Sequence, residues 1–383
     1  MKPKLIRITT VPLSLEKLLE NQLEFMSEFY DITAVSSDKE GLVAFGKNQN
    51  VNTFHLELTR TITLLKDVKT VIRLFKFLKK EKPLIVHTHT PKAGIVGMLA
   101  SYFARVPNRL HTVAGLPLLE TKGLKRRILN FVEKITYRCA TKIYPNSFGL
   151  EKIIIENKFT KKEKLKVIAN GSSNGIDTSY FNPNIFSEEE KRTLKNNLKI
   201  QKDDFVFIFV GRIVGDKGIN ELVEAFEKLQ NENTKLLLVG SLEMELDPLK
   251  EKTLTSIKTH KNIISVSFQK DVRPYFSISD VLVFPSYREG FPNVVMQAGA
   301  MNLPSIVTNI NGCNEIIEEG INGLIIPVKS VDSIYLAMKK ILKNQTLKVN
   351  LQQHSRKIIK DRYEQRNLWE ALLQEYKSLE LNV

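Results

Sequence analysis

Twice along the chain, short β-branched and aromatic runs alternate with longer stretches of helical period, and this alternation decides the fold class. In the first half, "KLIRITTV", "DITAVSS", "VNTFHLEL", "PLIVHTH", "NRLHTVAG", "KIYPNS" and "LKVIAN" read as strands. Between them, "LKDVKTVIRLFKFLKKEK", "KAGIVGMLASYFA", "LKRRILNFVEKITYRCA" and "LEKIIIEN" carry apolar residues at three- and four-residue spacing, the period of a helix. The pattern breaks at "NGSSNGIDTSYFNPN", 170–184, a run of turn formers with no apolar period. It resumes with "DFVFIFVG", "TKLLLVG", "NIISVSF", "DVLVFPS" and "LPSIVTN" as strands, with helices between most of them. Strand–helix alternation builds parallel sheets covered on both faces. The 383 residues exceed what one core comfortably holds. The expected architecture is therefore α/β, with two Rossmann-like, doubly wound parallel-sheet domains facing a central cleft. The first domain is placed at 1–169, a linker at 170–200 and the second domain at 201–362, with a terminal helical segment at 363–383. Ligands of such sheets bind beyond the carboxyl ends of the strands.

Two stretches in the second half concentrate chemistry at strand ends. In "FIFVGRIVGDKGINELVEAF", 207–226, Gly211 leaves a strand, and Arg212 and Lys217 precede an amphipathic helix. Backbone amides at a helix start, helped by a guanidinium and an ammonium, suit a diphosphate. In "YREGFPNVVMQAGA", 287–300, Glu289 and Gly290 follow a strand, Phe291 and Pro292 lead on, and Pro292 fits the first turn of a helix continuing through Asn293, Val294 and Gln297. Its first amides offer a second anion site. Glu289 can accept from hydroxyls, Gly290 lets a ligand approach the backbone, and the Gln297 amide suits a vicinal diol. Together they read as a site for a nucleotide sugar, with the sugar at Glu289, the diphosphate at Arg212, Lys217 and the helix start, and the ribose at Gln297. The alternative is a basic loop, a capped helix and an outward-facing glutamine.

These stretches, with "VFPSYREGFPNVVMQAGAMNLPSIVTNINGCNEIIEEGINGLIIP" and "VIANGSSNGIDTSYFNP", resemble the family 4 retaining glycosyltransferases of GT-B fold over essentially the whole chain. Within that family the chain is similar to the transferases that build bacterial surface polysaccharides and lipid-linked glycans. The resemblance implies that Glu289 contacts the sugar hydroxyls of the donor and that Arg212 and Lys217 bind its diphosphate. The family's second glutamate, which binds the ribose, falls on Gln297, a departure that removes a charge. It also implies front-face transfer with retention, a UDP-sugar donor, a hexose or N-acetylhexosamine as the transferred group, and a terminal helix around Trp369 packed back on the first domain. No cofactor and no metal ion are expected. No Asp-x-Asp pair is present, and "EMELD", 243–247, reads as the start of a helix with an acidic surface face.

The acceptor side is read in the first half. Its histidines His87, His89 and His111 lie in "VHTHTPKAG" and "RLHTVAG", at the ends of predicted strands. The resemblance places His111 near the reacting sugar as a catalytic residue, beside Glu289, Arg212 and Lys217. Thr10, His87, His89 and Lys92 are the acceptor-binding candidates, with Lys92 offered to an acceptor phosphate. The family's Gly-Gly loop is replaced by "TTVPLSLEK".

The net charge of +15 points to a polyanionic partner, although a lysine-rich proteome would give the same sum. Its placement is more informative, since two basic helices of the first half also carry Leu, Ile and Phe and so suit an anionic membrane surface. A lipid-linked saccharide is the acceptor this implies. No nucleic-acid motif is present. No apolar run is long enough to span a bilayer, no signal peptide is read, and the cysteines, Cys139 and Cys313, lie far apart. A cytoplasmic protein, peripheral at the inner face of the membrane, is expected. The rival readings are a sugar-nucleotide 2-epimerase on the same scaffold, which would turn over its donor without an acceptor, and a non-catalytic basic membrane-binding module.

Overall fold

The computed structural model describes residues 2–59, 63–116, 118, 121–243, 245 and 247–381. The chain divides into two units, one made of 1–175 with 366–383 and the other of 176–365.

The first unit holds β1 (Lys4–Ile8), β2 (Asp31–Ser36), β3 (Asn52–His55), β4 (Ile85–His89), β5 (Asn108–Val113) and β6 (Lys142–Pro145). They form one parallel sheet in the order β3-β2-β1-β4-β5-β6. The second unit holds β7 (Phe205–Val210), β8 (Thr234–Val239), β9 (Ile263–Val266), β10 (Val281–Phe284), β11 (Ser305–Thr308) and β12 (Gly323–Ile326). Their order, β12-β11-β10-β7-β8-β9, is again parallel. Counted along the chain, each sheet runs 3-2-1-4-5-6, the doubly wound order, with its switch point between first and fourth strands. Those pairs are β1/β4 and β7/β10.

Strand residues alternate between the two faces of the first sheet. Ile6, Ile8 and Val86 join the core under the helices Leu64–Glu81, Pro91–Ala104 and Gly123–Cys139. Leu5, Ile85 and Leu110 face the other way, into a core closed by Leu368, Trp369, Leu372, Leu373, Tyr376 and Leu379. These lie on the helix Gln365–Glu380 at helical spacing, and Trp369 stacks on Phe25 with ring centroids 5.4 Å apart. The second unit has a single large core from Ile176 to Tyr363.

Several local readings change. "LKVIAN" makes no strand; only Leu165 bridges to Ile143, because the segment runs along the sheet edge for one residue. "GLII" supplies β12, whose four-residue run is too short to show a period. The stretch 170–200 is divided between the units. Ile176 pairs with the 363–365 backbone, its amide donating to Tyr363 (2.8 Å) and its carbonyl accepting from Gln365 (3.0 Å). Within the same stretch, Ser187 and Glu190 form a capping box on the helix Glu188–Asn197. The "EMELD" segment does not open a helix: the next one is Glu251–Thr259, and Met244 and Leu246 lie outside the described residues.

Candidate functional site

The second unit's switch point gathers the donor-site candidates. β7 and β10 are neighbours, with Val281 opposite Phe207, so the loops that follow them leave the sheet side by side. After β7 the chain passes Gly211 (φ +151°) and Arg212, then a 3-10 turn at Gly215–Lys217. Gly218 (φ +72°) opens the helix Ile219–Glu227. A Cβ there would stand 2.2 Å from the Pro285 carbonyl oxygen, so only glycine lets the turn close on the end of β10. That closure sets Lys217 against the second loop. Its Nζ lies 2.5 Å from Glu289 Oε1, both side chains about 15% exposed. Ser286 Oγ also donates to Glu289 Oε1, at 2.9 Å. The Arg212 guanidinium lies outward, 46% exposed, at 3.3 Å from Glu243.

The second loop leads through Gly290, Phe291 and Pro292 to the helix Asn293–Ala300. Pro292 is the N-cap and not a first-turn residue, and no side chain caps this helix. Phe291 is buried against Tyr363, and Val294 packs partly on the core. Gln297 is half-buried between buried Met296 and Ala298. The site thus combines a carboxylate, an ammonium, an exposed guanidinium and a helix start without a side-chain cap. This set can hold hydroxyls and two phosphates at once. Sequence reasoning missed two groups that hold the loop. Thr308 Oγ1 donates to the Ser286 carbonyl (2.5 Å), and Asn311 Nδ2 to the carbonyls of Glu289 (2.5 Å) and Gly290 (3.1 Å). Their only signal is a small polar residue at or just past the end of the neighbouring strand.

In the first unit the acceptor-site candidates surround the β1/β4 switch point, in a different state from that expected. Thr10 Oγ1 lies 2.7 Å from Thr90 Oγ1. Thr90, at the start of the helix Pro91–Ala104, has φ +75°, a costly conformation for a branched residue. His87 and His89 are buried within β4 and stack at 4.5 Å. Buried Arg7 donates to Tyr376 Oη (2.8 Å), Gln22 Oε1 (2.7 Å) and His89 Nε2 (2.8 Å). The Tyr376 hydroxyl therefore gives its proton to His87 Nδ1 (2.5 Å), which leaves His87 Nε2–H for Thr112 Oγ1 (2.8 Å). Burial first, then the neighbouring histidines and Arg7, keeps both imidazoles well below the usual histidine range. Both are neutral near pH 7.

Lys92 is not presented as an open cation. It is 10% exposed and 2.5 Å from Asp67. His111 is not at a strand end either. It lies in the middle of β5, 3% exposed, with Nδ1 2.8 Å from Thr88 Oγ1. Gly94 passes over it so closely that a Cβ would be 2.5 Å from the ring. Burial lowers its pKa to about 4. β5 ends at Val113, followed by Ala114 and Gly115, so the strand tip itself carries no titratable side chain. The sequence reading placed His111 two residues too far along because "RLHTVAG" does not show where the strand stops.

Among the described residues no group of His, Cys, Asp and Glu has the arrangement of a metal site, and no helix is long and apolar enough to cross a membrane.

Known proteins match along nearly the full length. The family model "Glycosyl transferases group 1" matches residues 190–358, and "Glycosyl transferase 4-like domain" matches 24–171. The capsular polysaccharide biosynthesis glycosyltransferase CapM of Staphylococcus aureus is 33% identical over 372 residues, covering 96% of this chain and 95% of its own. An Escherichia coli enzyme described as UDP-Gal:alpha-D-GlcNAc-diphosphoundecaprenol alpha-1,3-galactosyltransferase is 29% identical, covering 94% and 92%. Anabaena Alr3699/HepE, solved in complex with UDP and glucose, shares the fold with a TM-score of 0.82 at 17% identity, covering 98% of this chain and 100% of that one. With its two 3-2-1-4-5-6 sheets and these matches, the chain belongs to the group 1 glycosyltransferases of GT-B fold.

Proposed function

We propose that this glycosyltransferase moves a hexose or N-acetylhexosamine from a UDP-sugar, with retention, to a saccharide carried on a lipid diphosphate, in the assembly of a bacterial surface polysaccharide. The observation that carries the donor half is the Lys217–Glu289 pair at the β7/β10 switch point, flanked by Arg212 and the uncapped start of the helix Asn293–Ala300. In the loaded site, Glu289 accepts from sugar hydroxyls, and Arg212, Lys217 and the helix amides take the charge that grows on the leaving diphosphate. They do so without a metal ion. A diphosphate oxygen takes the acceptor proton on the same face, and Gln297 bonds the ribose diol. The names of the Staphylococcus and Escherichia relatives support the capsular context, the UDP donor and the diphosphoundecaprenol-linked acceptor.

The first unit supports work at the inner face of the cytoplasmic membrane. The helices Leu64–Glu81 and Gly123–Cys139 both pack on Pro91–Ala104. They expose Leu65 (85%), Val68, Ile72, Leu124, Ile128 and Phe131 (64%). Exposed on the same helices are Lys66, Lys69, Arg73, Lys76, Lys79, Lys80, Lys125, Arg127, Lys134 and Arg138. Their acidic residues are spoken for: Asp67 pairs with Lys92, Glu81 with Lys4, and Glu133 is buried. Apolar side chains set among unopposed cations fit an anionic bilayer.

The test is calorimetric binding of UDP, GDP, ADP and dTDP, followed by transfer from UDP-galactose to a GlcNAc-diphospholipid on anionic vesicles. UDP is expected to bind best, and Arg212→Ala and Glu289→Ala to cut turnover by about 10²–10³ with the fold intact. Near-normal turnover in both variants would remove the donor assignment, and donor conversion without any acceptor would favour the epimerase.

A further inference from the structure

Two aspartates outside the proposed chemistry bind together the two loops that carry it. The Gly215–Lys217 turn rests on Asp247. The Asp216 amide donates to Asp247 Oδ2 at 2.5 Å, and the Gly215 amide to the Asp247 carbonyl at 3.1 Å. A Cβ on Gly215 would stand 2.9 Å from Asp247 Oδ2, so the carboxylate lies against the turn itself. Asp216 then reaches across to the loop after β10. Its carbonyl accepts from the Tyr287 amide at 2.9 Å, and its Oδ2 accepts from Arg288 at 2.7 Å. Tyr287 is anchored in turn, its hydroxyl donating to Glu221 at 2.7 Å on the helix that follows Lys217. The two ties sit one residue before Lys217 and one or two residues before Glu289.

The chemistry explains why such a frame is needed. The donor must break the Lys217–Glu289 pair, because each partner is required by a different part of the same molecule. An ammonium and a carboxylate on independently moving loops would close on each other or drift apart. Either movement costs affinity, since the grip depends on their separation. The Asp247 carboxylate holds the turn through a backbone amide, and the Asp216 carboxylate pairs with Arg288, so neither adds free positive charge beside the phosphates.

We infer that Asp216 and Asp247 are positioning residues of the donor site, fixing the turn that carries Lys217 at a set distance from the loop that carries Glu289. The inference rests on the donor-site reading above. The measurement is calorimetric titration of the full chain with UDP, alongside thermal unfolding. Asp247→Ala is expected to weaken UDP by about tenfold, roughly the value of one good hydrogen bond. Asp247→Asn, which keeps an oxygen for the Asp216 amide, is expected to recover most of that loss. Combining Asp247→Ala with Lys217→Ala should bind UDP no more weakly than Lys217→Ala alone, because both act through the same ammonium. Wild-type affinity in Asp247→Ala, with Lys217→Ala impaired, overturns the frame and leaves the donor site standing. Fully additive losses overturn it too, as does a lowered melting temperature with unchanged UDP affinity. Unchanged binding in Lys217→Ala removes the donor-site reading and the frame with it. Where Asp247→Ala does not fold, Asp216→Ser, which cuts only the tie to Arg288, is read by the same criteria.

Discussion

His111 shows how much one residue's address matters. Its ring is sealed between Gly94, Thr88 and Tyr137, and burial drops its pKa to about 4 against an unfolded value near 6.5. A histidine held neutral in the native state is protonated first in the unfolded chain. Its contribution is therefore complete above pH 6.5, is lost as pH falls from about 6.5 to about 4, and is constant below that. The full span is of order 3 kcal/mol at about 1.4 kcal/mol per pH unit. Glu133, buried and raised to about 7, works in the opposite sense, gaining stability as pH falls from 7 towards 4.5. The wild-type curve mixes both effects, so the expected result is in the difference. Thermal unfolding of wild type minus His111→Asn, followed by fluorescence of Trp369, should slope between pH 6.5 and 4 and be flat above pH 7. A flat difference throughout would mean that the ring is solvated. At this scale the sequence was legible where chemistry sits next to a turn signal. Glu289 before Gly-Phe-Pro, and Lys217 before the Gly218 that opens a helix, declare themselves. Asp247 and Asn311 do not, because what they do depends on partners 31 and 22 residues away.

Among the elements, the helix Gln365–Glu380 was legible by period, and its destination came from family resemblance. What period could not show is the polar seam beneath it. Arg7 stands in β1 between apolar neighbours and is wholly buried, its guanidinium met by Tyr376, Gln22 and His89, which are all neutral groups. A buried cation is tolerated only when its donors are well met. Tyr376 meets one of them and also serves His87, and burial pushes its own hydroxyl up to about 12. Tyr376→Phe keeps the ring that packs edge-on to Tyr30 but strands Arg7 Nη1 and His87 Nδ1 together. The expected cost is about 1–3 kcal/mol, read as a lower urea midpoint at an unchanged slope. A smaller loss would show that Gln22 and His89 suffice for Arg7. Strand ends were less legible than helices. "LKVIAN" has the composition of a strand but only one bridging residue, whereas "GLII" is short enough to pass for a loop and yet completes the second sheet.

For the whole molecule, two rounds of the same alternation translated directly into two sheets of the same order, because parallel βαβ units leave little topological choice. The sequence was less informative about how the chain is shared between units. The first unit takes back 366–383, whereas the second is continuous from Ile176 to Gln365. That continuous unit contains its whole sheet, its whole core and every donor-site candidate from Gly211 to Gln297. Its ends are tied together by the Ile176–Tyr363 and Gln365–Ile176 backbone bonds, so cutting at both leaves a closed domain. Residues 176–365 expressed alone should therefore fold and bind UDP within about tenfold of the full chain, a difference below roughly 1.4 kcal/mol. Saturating UDP should raise the fragment's melting point, since a ligand that binds only the native state stabilises it in proportion to the logarithm of its concentration over Kd. The fragment contains no tryptophan, so circular dichroism is the readout. A fragment that folds but does not bind would show that UDP depends on residues of the first unit. A fragment that does not fold would show that the second core, although continuous in sequence, is not sufficient for its own stability.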